Sequence, residues 1–278
     1  MYTMTPRCQL RAPPPPRAAT TTPPAPSFTT PSRADPDELR STWQHRAWTL
    51  AGATAVLSSV TTSATTTSPT SIAEPLAASL LAYTLADLAT GVYHWLIDNY
   101  GSPTTPLLGP QIAAFQGHHA HPSTITRRDF SNNLHSLARA VAFLLPPIDA
   151  ALAAFTPDAA SAHAFVGVFA ASVAMSQQFH AWAHENPRRL PAGVAALQRA
   201  GVLVSRAAHA AHHREPYDCN YCIVSGVWNP VLDRYRVFLA LEMVVFFRTG
   251  VRPRSWDQPD AAWTEVHAGD ADGDGESE

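Results

Sequence analysis

The sequence predicts an all-α, integral-membrane helical bundle of about three to four spans, with a histidine-ligated metal site on one side. Three observations carry this expectation. Charged residues are only 15% of the chain against 46% apolar ones, where an ordinary soluble domain carries roughly 25% charged residues, so much of the surface must avoid water by another route. The 22 residues from Leu76 to Ile97 form an apolar run, and as a helix rising ~1.5 Å per residue they cross a hydrocarbon layer of about 30 Å. Eleven of the 13 histidines lie between His94 and His213, where an even spread would place about six.

The ends of the chain differ from its middle. Residues 1–34 hold nine Pro, nine Ser or Thr, four Arg and no acidic residue, a composition that cannot build a packed core. No apolar stretch of the secretory type occurs there, so residues 1–45 read as an organelle transit peptide. Residues 259–278 read as an acidic, disordered tail, leaving 46–258 as one membrane domain. The mean hydropathy of -0.09 is low for a membrane protein because these polar ends are averaged in. A net charge of -3, with every cation an Arg, shows no basic stripe and argues against nucleic acid as a partner. Cys8, Cys219 and Cys222 are too few for a disulfide framework and fit a reducing compartment. Cys219 and Cys222 make half of a zinc or redox motif for which the sequence supplies no second pair.

Five apolar segments follow in order. Trp48 to Val60 trails into a Thr and Ser tract and reads as a short span or an interfacial helix. Leu76 to Ile97 is the clearest span, and it contains Asp87, an ionisable group that in lipid either bonds a neighbouring helix or faces a functional cavity. Leu137 to Phe155, interrupted by Pro146-Pro147, and Ala162 to Phe179 are joined by the short link Thr156 to Ser161 and predict a helical hairpin. Val237 to Phe247 is a last, shorter apolar helix. Three crossings in this order bring His94 and His180 out on the same side, as a shared metal site requires.

The histidines are grouped. His94 and Asp98 are four apart, on one helical face. Gln116-Gly-His118-His119 follows, with His121 and His135 nearby. His180-Ala-Trp-Ala-His184 is another i, i+4 pair, and His209-Ala-Ala-His212-His213 places three imidazoles on one helical face. Neutral imidazole suits iron, zinc or copper. A catalytic zinc takes three protein ligands, and this set offers nine or ten, which two metal ions accommodate better than one. Iron is favoured because breaking an unactivated C–H bond in a membrane needs an oxidant drawn from O₂. A histidine-rich membrane metal carrier and a zinc-dependent membrane hydrolase are the rival classes. Arg127 and Arg128, close behind the first box, can fork onto a lipid phosphate or stand as a solvated, headgroup-facing pair.

Five stretches carry a more specific likeness: DLATGVYHWLIDNYG at 87–101, QGHH at 116–119, ITRRDFSNNLH at 125–135, HAWAH at 180–184 and HAAHHREPYDCNYCIVSGVWN at 209–229. Over roughly Leu80 to Trp256 the chain resembles the plastid fatty acid desaturase 4 family, plant relatives of the animal plasmanylethanolamine desaturase. The resemblance implies a chloroplast membrane desaturase that introduces a trans double bond at carbon 3 of palmitoyl at the sn-2 position of phosphatidylglycerol. It also implies two irons, O₂ as co-substrate and ferredoxin as electron donor. Desaturation of another lipid, an ether lipid or another acyl position, is the alternative within this class. The likeness maps three histidine boxes onto Gln116 to Ala120, His180 to His184 and His209 to His213. The expected ligands are His94, His118, His119, His180, His184, His209, His212 and His213, with His135 and Asp98 as further ligands or as partners that orient them. The chain departs from the family pattern at Ala120, at the additional His121, at Ala211, where an acid is usual, and at Cys219.

Overall fold

The computed structural model describes residues 37–68, 70–156 and 159–256. In chain order the helices are α1 (Trp43–Thr66), α2 (Ala73–Asn99), α3 (Gly109–Ala120), α4 (Thr124–Arg127), α5 (Phe130–Phe155), α6 (Ala160–His184), α7 (Ala192–Arg199), α8 (Arg206–His212), α9 (Asn229–Arg234) and α10 (Val237–Thr249). A 3-10 turn at Arg254–Trp256 follows, and no strand occurs among the described residues.

Four long helices make the bundle, with α1 packed on α5 and α6, α2 on α6, and α5 on α6. Their direction follows from the side chains that meet. His45, near the start of α1, stacks on His135, near the start of α5, at 3.9 Å between centroids. At the other end, Ser59 and Ser63 of α1 donate to the His163 and Ala160 carbonyls of early α6. Helices α1 and α5 therefore run away from one end of the bundle and α2 and α6 return to it, which delivers His94 and His180 to the same side. The shorter helices cap that end.

Helices α2 and α5 are long and apolar enough to cross a membrane. Only 28% and 17% of their apolar windows are buried inside the protein, so their outward faces need lipid. Leu76, Leu80, Phe143 and Leu144 are among the residues pointing out. Helices α1 and α6 are less apolar by the same measure, yet they are equally continuous. The Thr and Ser tract of α1 does not end the helix at Val60, because Thr62, Thr65 and Thr66 return their hydroxyls to carbonyls three or four residues back. Pro146 and Pro147 likewise lie inside α5 without ending it. Just beyond them Asp149 accepts from Ser59 Oγ at 2.9 Å and meets His163 Nδ1 at 2.8 Å, which ties the helix to α1 and α6.

The folded body begins ahead of residue 46. Leu39 is buried, its carbonyl accepts from Asp129 N, and Asn132 Nδ2 donates to the Glu38 and Arg40 carbonyls. The greater part of the expected transit peptide, and the acidic tail at 259–278, lie outside the described residues.

A loop after α8 closes the capped end. Cys222 is a core residue there, packed with Trp95, Tyr221, Leu232 and Phe238. Glu242 of α10 is buried and fully used, accepting from Trp95 Nε1, Ser255 Oγ and Trp256 Nε1. The loop touches α2 so closely that a Cβ on Gly91 would stand 2.3 Å from Cys222 Sγ. Gly91→Ala should therefore cost about 1–3 kcal/mol through overpacking. Thermal melting in detergent checks this, and an unchanged midpoint would contradict the close approach.

Candidate metal centre

The chemistry-bearing side chains come from four segments that share no sequence neighbourhood. The last turn of α2 supplies His94 and Asp98, which lie one turn apart. The end of α3 supplies His118 and His119, the end of α6 His180 and His184, and α8 with its C-terminal residue supplies His209, His212 and His213. Gln116 holds α3 against α2 by donating to the Ile97 carbonyl at 3.1 Å.

These residues form two groups, in each of which the potential ligand atoms lie within 4.8 Å of one another. The first is His118, His180, His184, His209 and His213. Its Nε2 atoms converge, with His118 to His184 at 2.9 Å, His184 to His180 at 3.2 Å and His213 to His209 at 3.1 Å. The second is His94, Asp98, His119 and His212, with Asp98 Oδ2 at 3.2, 3.2 and 3.4 Å from the Nε2 atoms of His94, His119 and His212. The groups adjoin, since the His119 and His213 rings are 4.9 Å apart. Neighbours in sequence thus serve different groups: His118 and His119 part company, and so do His212 and His213. The three imidazoles of the third box do not act as one face.

The protonation pattern shows that the second group suits a cation. His94 Nδ1 lies 3.0 Å from the Tyr221 carbonyl and His212 Nδ1 lies 2.8 Å from the Cys219 carbonyl. A carbonyl only accepts, so each Nδ1 carries the proton and donates it, and each Nε2 presents a lone pair. Those two Nε2 atoms are buried, have no hydrogen-bond partner among the described residues and face the Asp98 carboxylate. Lone pairs held against an anion in a buried space repel, and a metal ion among them makes the contact attractive. Burial also holds the His118 and His209 imidazoles well below their ordinary range and pushes His212 down to about 4, so they stay in the neutral, ligating form. The backbone carbonyls that fix the His94 and His212 tautomers are the kind of outer partner that metal-bound imidazoles need. Among the described residues His209 Nδ1 and His180 Nδ1 have no such partner.

The remaining expected residues lie elsewhere. His135 joins neither group: it stacks on His45, and its Nδ1 donates to the Asn132 carbonyl at 2.9 Å. His121 caps α3 and is exposed. Arg127 turns back to Thr124 Oγ1. Arg128 lines a cavity of about 530 Å³ whose wall also carries His118, His135, His180, Leu137, Phe169 and Val173. Asp87 faces no cavity of this kind, because its Oδ1 accepts the amides of Val224, Ser225 and Gly226 at 2.8–3.0 Å. Sequence reasoning missed Tyr221, the Cys219 carbonyl and Asn229, which braces Cys222 through both its amide and its carbonyl. All three lie in the stretch at 209–229 that carries the family likeness, though no residue type there announces a role.

A helical bundle with two long apolar helices, two adjoining groups that could hold metal ions at one end, and a largely apolar cavity beside them has the make-up of a membrane-bound metal enzyme. The chain belongs to the lipid desaturase family, whose domain model matches residues 83–256. It is 52% identical over 225 residues to "Fatty acid desaturase 4, chloroplastic" of Arabidopsis thaliana, covering 81% of this chain and 68% of the relative. It is 47% identical over 235 residues to "Fatty acid desaturase 4-like 1, chloroplastic" of the same plant, covering 84% and 78%. A plasmanylethanolamine desaturase of Myxococcus xanthus is 35% identical over 189 residues, covering 66% and 64%. No solved structure matches the chain. The protein is a membrane lipid desaturase.

Proposed function

We propose that the protein is a di-iron acyl-lipid desaturase of the chloroplast membrane, forming a trans double bond at carbon 3 of sn-2 palmitoyl in phosphatidylglycerol. The observation that carries this reading is the placement of His118 and His180, members of the five-histidine group, in the wall of the large cavity. The names of the chloroplastic relatives support the location and the acyl substrate. By this reading the part of residues 1–45 that precedes the buried Leu39 is removed on import.

Iron fits the donor set, with eight imidazoles and one carboxylate, and when bound would supply the oxidant for an unactivated C–H bond. The chain itself does the positioning. Leu137, Phe169 and Val173 give the tail an apolar wall that excludes water. His118 and His180 bring the ligand cluster to the cavity at the capped end of the bundle, so the carbons within reach lie near the headgroup rather than deep in the tail. Two hydrogens leave adjacent carbons, and O₂ accepts them with two electrons and two protons to give two waters. Ferredoxin would deliver the electrons, and Arg206 and Arg214, beside the third box, offer cations to an acidic donor.

Expression in a host that makes phosphatidylglycerol with sn-2 palmitate and supplies reduced ferredoxin should yield a trans-3 hexadecenoyl chain confined to that lipid. Gas chromatography of separated lipid classes decides it. A cis mid-chain product, or an even spread of the new acyl group over all phospholipids, would overturn the substrate assignment.

A further inference from the structure

Beside the large cavity lies a second, smaller one of about 110 Å³, walled by Arg128, Asn133, Gln178, Trp182, Glu185 and Arg189 among others. The two cavities share Ile125, Arg128 and Asn133. We propose that the small cavity is the headgroup subsite of the lipid substrate, taking a phosphodiester between Arg128 and Arg189 and the hydroxyls of a polyol head on Asn133 and Glu185. The proposal rests on the desaturase reading and adds the residues that select the head.

Three features of the cavity point to this chemistry. Guanidinium groups are donors only, in a fork that matches phosphate oxygens, and here Arg128 and Arg189, from different segments, both line one small space. Asn133 is 8% exposed, and its Nδ2 is spent on the Ile125 carbonyl and Gln178 Oε1, both at 3.3 Å. Its Oδ1 is buried with no partner among the described residues and needs a donor, which a phosphate oxygen cannot be. Glu185 is a second acceptor in the same wall, with one oxygen holding the Asn186 amide. A head that satisfies these acceptors must itself donate. A choline head has no donor, and an ammonium head would set a third cation against two guanidiniums with the single carboxylate of Glu185 to offset it. An anionic phosphate bearing neutral hydroxyls fits both halves.

The position agrees with this assignment. Arg128 precedes α5, and Arg189 lies in the turn after α6, both at the capped end, with Trp182 beside them at the level where membrane interfaces hold indole rings. From there the large cavity passes His180 and follows α6 down to Phe169. A lipid seated by its phosphate in the small cavity would lay the first carbons of its acyl chain past the five-histidine group. The phosphate contact expected of Arg127 passes to Arg189, because Arg127 lines neither cavity.

The test uses the full chain in detergent and in nanodiscs, with Arg189→Gln and Asn133→Leu as variants and Arg199→Gln, an exposed cation on α7, as the control. Native mass spectrometry should show the parent retaining phosphatidylglycerol over phosphatidylcholine and phosphatidylethanolamine of the same acyl composition. Arg189→Gln should lose about tenfold or more of that preference, and in turnover KM for phosphatidylglycerol should rise by the same factor with kcat and metal content kept. Free glycerol 3-phosphate should compete only weakly, since a lipid source needs both cavities. The subsite is overturned if Arg189→Gln and Asn133→Leu keep the parent's lipid preference, or if glycerol 3-phosphate displaces the lipid at equal concentration. Failure of the desaturase reading looks different: the parent would form no double bond in any lipid, while the binding preference would still report on the subsite.

Discussion

An Asp98→Asn chain should purify with about one metal ion fewer than the parent and turn over at least a hundredfold more slowly. Asp98 is the one carboxylate in either group, and three imidazole Nε2 atoms approach its Oδ2 within 3.4 Å. Asparagine keeps the shape, so α2 and its packing are undisturbed, but it removes the anion. Two divalent cations held side by side by neutral imidazoles alone would repel with nothing to offset the charge. Altering only an outer partner of a ligand costs metal affinity or activity about 10–100-fold, and a ligand at the centre of the group should cost more. Metal analysis after anaerobic purification, paired with lipid turnover, measures both effects. His184→Gln should instead deplete the five-histidine group. If Asp98→Asn keeps two metals and full turnover, the second group is not a metal site.

Much of this centre was legible because it is built from residues whose chemistry is unusual wherever they occur. Histidines at i, i+4 on α2 and α6 name a face by geometry alone, and the order of apolar runs gave their common side. The partition into two groups was not legible. His118 and His119 are adjacent, and which ring turns to which group depends on how α3 meets α2 and α8, a tertiary fact with no local signal. His135 shows the opposite failure. Its type and neighbourhood suggest a ligand, yet it sits on α5 facing His45, where stacking uses the ring. Helix α1 was read too short for a related reason, since Thr and Ser weaken a helical pattern in sequence while their hydroxyls close on the helix's own carbonyls in the fold. The carbonyls of Tyr221 and Cys219 had no signal of their own, because a backbone group is present at every residue.

Asp87→Ala should destabilise the protein more than any other single change outside the metal ligands, and it should lower metal content as well. The residue lies in the middle of α2, where an ionisable side chain is costly unless fully employed. Its Oδ1 accepts three successive amides, from Val224, Ser225 and Gly226, and Oδ2 approaches the Trp228 amide at 3.5 Å. Alanine leaves those amides without a partner in the closed interior, at about 1–3 kcal/mol each. Even two such losses are a large part of a typical stability of about 5–15 kcal/mol. The functional link runs through the same loop: the segment pinned by Asp87 carries Tyr221, whose carbonyl fixes the His94 tautomer, and Cys219, whose carbonyl fixes that of His212. Freed of its anchor, the loop no longer holds either Nε2 toward the second group. Asp87→Asn, which keeps one acceptor oxygen, should recover part of the melting temperature and more of the metal than alanine does. The measurement is a thermal melt with parallel metal analysis on the three proteins, and an alanine variant that melts and binds metal like the parent would refute the anchoring role.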